Sequence, residues 1–319
     1  MPKLDKILLQ IWLTFKFFLL PQYITHIYSI KMDIDIPGQT LKLEEFKIES
    51  LVKDVEGNYI HPRIVMIAPS GSGKSWIARN ILYHIRDWPC AVVIAPTDKM
   101  NKFFDDFIPA SFIYHDYRPE VIPKILGRQS KILAKNELRE AKGKKQIDPR
   151  IVFIMDDCMA DKEKWIKDPK MLEIMNQGRH FKITFILTMQ YCLGIQPELR
   201  TQFNFVFLLG DDNAASRKKL HEHWAGVFPK RELFEQVFLS VTENYGCMVI
   251  NNRIKSIDIT KKVFWFRSSK VPDFKIGIPK YLKFHQERFN PEHAQKSEMF
   301  DFINYGNKKK SNIIVKLIN

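Results

Sequence analysis

Two rhythms of apolar and polar positions alternate along this chain. Short, mostly apolar runs at residues 63–68, 90–95, 111–115, 150–155, 183–188 and 203–209 read as buried strands. Between them, stretches at 74–85, about 123–143 and 162–176 carry the wider spacing of amphipathic helices. Beyond residue 209, two more helical stretches at 213–224 and 231–238 precede apolar runs at 247–250 and 263–265, which can pair as edge strands. Strands and helices alternating at this spacing predict an α/β fold: a mostly parallel central sheet in a three-layer arrangement. No internal repeat is visible. The organisation expected is an apolar extension (1–31), a lead-in segment (32–60), a core (61–268) and a basic C-terminal tail (269–319).

The first strand runs into A-P-S-G-S-G-K-S-W, and the helix follows at once. This is a phosphate-binding loop close to G-x-x-x-x-G-K-[ST], with Ala68 where the first glycine is usual. Alanine suits that position if its φ stays negative. Gly71 and Gly73 let the backbone turn its N–H groups inward as an anion nest. The helix starting there adds the partial charge of its N-terminus. Ala68, Pro69, Ser70, Gly71, Ser72, Gly73, Lys74, Ser75 and Trp76 are the expected nucleotide-binding stretch. Lys74 would reach the β- and γ-phosphates, and the Ser75 hydroxyl would ligate Mg²⁺.

The strand at 150–155 ends in Asp156-Asp157. Carboxylates at that edge of a parallel sheet fall where open α/β sheets bind ligands. Asp156 is the expected Mg²⁺ holder, directly or through water, and Asp157 the group that aligns and deprotonates water. The strand at 183–188 leads to Gln190, whose amide can bond both the attacking water and the γ-phosphate.

These residues support a named resemblance. Asn176-Gln177-Gly178-Arg179-His180, the strand at 183–190 and Tyr191 resemble the poxvirus-type DNA-packaging ATPases of large double-stranded DNA viruses. Those enzymes belong to the FtsK/HerA superfamily of P-loop ATPases, and the similarity spans roughly residues 63–267. It implies an additional-strand P-loop NTPase fold, with the Gln190 strand between the loop strand and the Asp-Asp strand. It also implies a homo-oligomeric ring that hydrolyses ATP with Mg²⁺, moves double-stranded DNA, and meets capsid or portal-region proteins. The place of action would be the virion or a cytoplasmic virus factory in the host. Asp157 stands where many superfamily members have Glu. Arg179, in a loop implied to face a neighbouring subunit, is the expected trans-acting arginine, with Arg200 the second candidate.

Charge adds a partner class. Fifty Lys+Arg against 36 Asp+Glu leave +14, which favours a polyanion or serves solubility. Lys124, Arg128, Lys131 and Lys135 fall on one helical face, which suits either DNA phosphates or plain solvation. Lys308-Lys309-Lys310 reads as a basic chain end. The four cysteines show no C-x-x-C or zinc spacing, and His221 and His223 read as solvated surface residues.

The stretch 7–20 is apolar but short of the roughly 20 residues that span a bilayer. Its narrow polar stripe of Lys6, Gln10 and Thr14 allows a helix lying on a membrane. The favoured alternative is a working protein that starts at Met32. The leading functional expectation is a DNA-translocating ATPase; a P-loop nucleotide kinase and a nucleotide-gated assembly module are the rivals.

Overall fold

The computed structural model describes the backbone of residues 31–36 and 39–290, and side chains from Thr40 onward. The apolar stretch at 7–20 and the lysines at 308–310 lie outside the described residues. Strands β1 (Lys31–Ile36) and β2 (Gln39–Glu44) form an antiparallel pair. The main sheet has eight strands: β3 (Arg63–Ile67), β4 (Ala91–Ile94), β5 (Ile113–Tyr114), β6 (Ile151–Asp156), β7 (Ile183–Met189), β8 (Phe205–Leu209), β9 (Gly246–Asn251) and β10 (Val263–Arg267). Their spatial order is β10-β9-β8-β3-β7-β6-β4-β5. From β8 to β5 every pairing is parallel, while β9 runs antiparallel to both β8 and β10. This is the mostly parallel α/β fold of a P-loop NTPase, and β7 lies between β3 and β6, as the resemblance implies.

Alternation along each strand sorts the core into two layers. Val65, Ile67, Phe153, Met155, Phe185 and Leu187 face one side. Helices α2 (Val121–Glu140), α4 (Pro169–Gln177), α5 (Ala214–Trp224) and α6 (Arg231–Thr242) cover that side through Ile122, Ile125, Ile174, Trp224 and Phe238. Ile64, Met66, Ile154 and Ile186 face the other, where α1 (Lys74–His84) packs with Ile77 and Ile81. The period of two therefore puts Asp156, two residues after Ile154, on the α1 side of the sheet.

The helix expected at 162–176 is broken in two. α3 (Lys162–Trp165) stops, and α4 begins at Pro169 with Asp168 as its N-cap. Proline pushes the preceding residue out of the helical region, and the Asp168 carboxylate accepts the Lys170 N–H at 2.8 Å. The Tyr117 hydroxyl donates to Asp168 at 2.6 Å, which ties the break to the start of α2. The strand expected at 111–115 shrinks to two residues, and the helix expected at 231–238 runs on to Thr242.

The stretch after Ser268, read from the sequence as a basic tail, docks on the core as far as it is described. Val271 and Ile276 are buried, and the Ile276 N–H donates to Phe107 O at 2.9 Å. On α7 (Pro279–Arg288), the Tyr281 hydroxyl donates to Ala91 O at 2.7 Å. The four cysteines are buried free thiols; burial pushes Cys90 up to about 11.

Candidate nucleotide site

The strand order brings three loops to the C-terminal edge of the sheet: the loop after β3, the Asp pair after β6, and the turn after β7. Pro69, Gly71, Lys74, Ser75, Asp156, Asp157 and Gln190 line one cavity of about 690 Å³ there. Gly71 has φ 78 and Gly73 φ 98, a left-handed backbone that glycine takes at no steric cost. Ala68 is absent from the positive-φ residues, so alanine is unstrained at the start of the loop. Its N–H donates to Met189 O at 3.0 Å, which fixes the loop to the end of β7.

The Lys74 ammonium folds back onto the loop, donating to Ala68 O at 2.6 Å and Pro69 O at 3.1 Å. Desolvation lowers its pKa, against the pull of Asp157 and Asp156. An incoming phosphate oxygen would replace those carbonyls as acceptor. The Ser72 hydroxyl donates to Pro69 O at 2.7 Å, which stiffens the crown of the loop.

Thr188 organises the carboxylates, a role that sequence reasoning missed. It is opposite Asp156 in the β6–β7 register and 1 % exposed. Its hydroxyl donates to Asp156 Oδ1 at 2.6 Å and accepts the Asp157 N–H at 3.1 Å. Desolvation raises the Asp156 pKa; the Thr188 hydrogen bond opposes it, and Asp157 and Asp98 add to it. Asp157 adopts φ 52, which turns its side chain toward Gln190; the Gln190 amide donates to Asp157 Oδ2 at 2.6 Å. A threonine two residues before the glutamine on a central strand was the available signal, because that spacing keeps one face while the strand length sets the register.

Arg179 is not brought to this cavity. It precedes β7, at the opposite end of a seven-residue strand, about 20 Å long at ~3.3 Å per residue. There it is exposed and lines a separate cavity of about 360 Å³ with His61, His180, Lys182 and Arg253. Arg200 is engaged within its own subunit: its guanidinium donates to Ile195 O at 2.8 Å and meets His223 Nδ1 at 2.9 Å. His223 and His221 are half-buried rather than solvated, and His221 Nε2 lies 3.0 Å from Phe228 O. Residues on α5 that look polar in sequence are drawn inward by the packing of Trp224 and Phe228.

His61 sets an acid limit on stability. It is 8 % exposed, and burial pushes its pKa down to about 4, with Lys182 and Arg150 adding to the shift. The unfolded state binds the proton more tightly, near pH 6.5. The contribution to stability is therefore complete above about pH 6.5 and lost as pH falls toward 4, roughly 3 kcal/mol in all. His61→Phe should lose correspondingly less stability between pH 7 and 4.5 in urea unfolding. An acid limb as steep as that of the parent would place the titration elsewhere.

Residues 44–214 match the family model described as the poxvirus A32 protein. The chain belongs to the poxvirus A32 family. The uncharacterised protein L437 of Acanthamoeba polyphaga mimivirus is 43 % identical to this A32-family chain over 249 residues, covering 78 % of it and 87 % of L437. Protein 015R of Frog virus 3 is 31 % identical over 252 residues, covering 78 % of this chain and 74 % of that one. Among solved structures, the genome packaging NTPase B204 of Sulfolobus turreted icosahedral virus 2 with AMPPCP aligns at TM-score 0.43. The identity is 14 %, with 65 % of this chain and 98 % of B204 covered. The pCW3 conjugation coupling protein TcpA aligns at TM-score 0.45 and 12 % identity, covering 85 % and 71 %.

Proposed function

We propose that this chain is a magnesium-dependent ATPase that works as a ring and drives double-stranded DNA into a capsid during virion assembly. The observation that carries the reading is the meeting of Lys74, Ser75, Asp156, Asp157 and Gln190 in one cavity. Membership of the A32 family, and the resemblance to DNA-packaging ATPases, support the choice of polymer and the ring. On this reading the protein acts in the virion or a cytoplasmic virus factory and meets capsid or portal-region proteins. No helix among the described residues is long and apolar enough to cross a membrane.

The donor set fits a magnesium ion. A hydroxyl and a carboxylate are hard oxygen ligands, and such an ion keeps waters and takes phosphate oxygens for its other positions. Ser75 and Asp156 would hold it; burial raises the Asp156 pKa, with Asp157 and Asp98 adding to it, so a cation there would favour the ionised carboxylate. When bound, the ion neutralises charge on the phosphates. Lys74 exchanges its loop carbonyls for the β/γ oxygens. Asp157 accepts the proton of the attacking water. Gln190, which already donates to Asp157, bonds the γ-phosphate and so distinguishes triphosphate from diphosphate. Arg267 is the one arginine among the described residues lining the cavity, whereas a nucleotide kinase would need an arginine-rich lid.

DNA contact is proposed at the outer face of α2. Lys124, Lys131 and Lys135 are exposed and Arg128 half-buried, opposite the buried Ile122, Ile125 and Leu126. Duplex DNA should stimulate ATP turnover. Changing the four basic residues together to Gln should weaken that stimulation and flatten the slope of log affinity against log salt by about 0.9 per lost phosphate contact. A parental salt slope in the quadruple variant would assign the face to solvation. A turnover unmoved by duplex DNA, but raised by a nucleoside acceptor, would replace the translocase with a kinase.

A further inference from the structure

The Asp156–Asp157–Gln190 cluster accounts for part of the cavity lining; the aromatic residues Trp76 and Tyr245, which also line it, have no part in phosphate chemistry. A triphosphate whose γ end faces those carboxylates lays its α-phosphate at the first turn of α1. The sugar and base must then continue past Trp76. Trp76 is 54 % exposed and Tyr245 73 % exposed, and both line the cavity with Arg267 and Ser268.

The placement of Tyr245 is costly to keep. Asn244 and Tyr245 both adopt a left-handed backbone, with φ 52 and 60, and neighbouring non-glycine residues take it where the surroundings impose it. Those surroundings are evident. The Arg267 guanidinium donates to Glu243 O at 3.0 Å. At Gly246 an added Cβ would lie 2.2 Å from Val241 O, so the turn closes too tightly for any side chain. The Tyr245 ring ends against the phosphate loop, with Cδ1 3.7 Å from where a Cβ on Gly73 would stand. On the Trp76 side, the Ser268 hydroxyl donates to Trp76 O at 3.1 Å and ties the end of β10 to the first turn of α1. Two large rings are thus held open to solvent beside the phosphate loop, each offering a flat apolar face for a base to cover.

We propose that Trp76 and Tyr245 bind the nucleobase by stacking, so that the site takes purine nucleoside triphosphates in preference to pyrimidine ones. The inference rests on the nucleotide-site reading above. It follows from ring area: a purine covers more of an aromatic face than a pyrimidine, and stacking is indifferent to the groups on the base edge. Adenine and guanine are therefore both accommodated by the rings.

The test compares ATP, CTP and inorganic tripolyphosphate, each with magnesium, by calorimetric titration of the full chain. The parental protein should bind ATP more tightly than CTP and both more tightly than tripolyphosphate. Tyr245→Ala and Trp76→Ala should each weaken ATP about tenfold and leave tripolyphosphate unchanged, while Tyr245→Phe keeps the parental ATP affinity. Equal parental affinity for all three ligands would overturn the stacking role and leave the phosphate site standing. Variants that weaken ATP and tripolyphosphate alike would overturn it too, as would a Tyr245→Ala that changes the oligomeric state at unaltered ATP affinity. Failure of the parent to bind any of the three would remove the nucleotide site itself, and the inference with it.

Discussion

Asp157→Asn should bind ATP with parental affinity and hydrolyse it at least about a hundredfold more slowly, the range expected on losing a general base. The substitution is mild for the fold. Asp157 has φ 52, a left-handed conformation that asparagine tolerates well, and the new amide keeps an oxygen to accept from Gln190. Its N–H still reaches the Thr188 hydroxyl. What the amide cannot do is take a proton from water. Phosphate release measured beside equilibrium ATP binding separates the two effects. Turnover at the parental rate would make the Asp157–Gln190 contact a structural one and end the assignment of Asp157 as the base.

Arg179→Ala should also bind ATP normally yet lose turnover, by about a thousandfold or more if the arginine acts on the transferring phosphate. The geometry sharpens this expectation. Arg179 is exposed at the edge of the sheet opposite its own phosphate loop, a strand length away, so an action on phosphate has to be on that of a neighbour. Arg200 is half-buried and engaged with Ile195 O and His223, which leaves Arg179 the better placed of the two. Mixing Arg179→Ala with Asp157→Asn should restore part of the activity. A site with the intact base of one subunit can then receive the arginine of the next. If mixed rings form and no ratio restores turnover, Arg179 has no trans-acting role and its loss acts through its own subunit. The lining of its cavity by His61, Lys182 and Arg253 would then point to a structural or anion-binding function at that edge.

Much of the site was legible because its signals are local. The loop after β3 needs glycine where φ is positive and a lysine and a serine at fixed offsets, and these constraints act within nine residues. The Asp pair was equally readable, since a doubly apolar run ending in carboxylates marks a central strand and its C-terminal edge. The Thr188 bridge was not, because it depends on register: Thr188 meets Asp156 only once β6 and β7 pair. The break between α3 and α4 was within reach of the sequence, as Asp168-Pro169 is a strong start signal, but the apolar spacing runs across it.

The histidines show the limit from the other side. His221 and His223 sit on a polar helix, and nothing local reveals that Arg200 and Phe228 O come to meet them. The same holds for Tyr245, an ordinary residue in sequence until the turn after α6 carries it onto Gly73.

By itself, then, the sequence determined the α/β class, the phosphate loop, the two carboxylates and the glutamine, because backbone conformation and apolar periodicity are properties of neighbouring residues. Only the tertiary structure decided which loops share a cavity, which end of β7 each functional residue occupies, and what stands opposite the phosphates. Those depend on strand order and register, set by the packing of two helical layers against one sheet over separations from 32 residues, for Thr188 and Asp156, to 141, for Arg63 and Asn204.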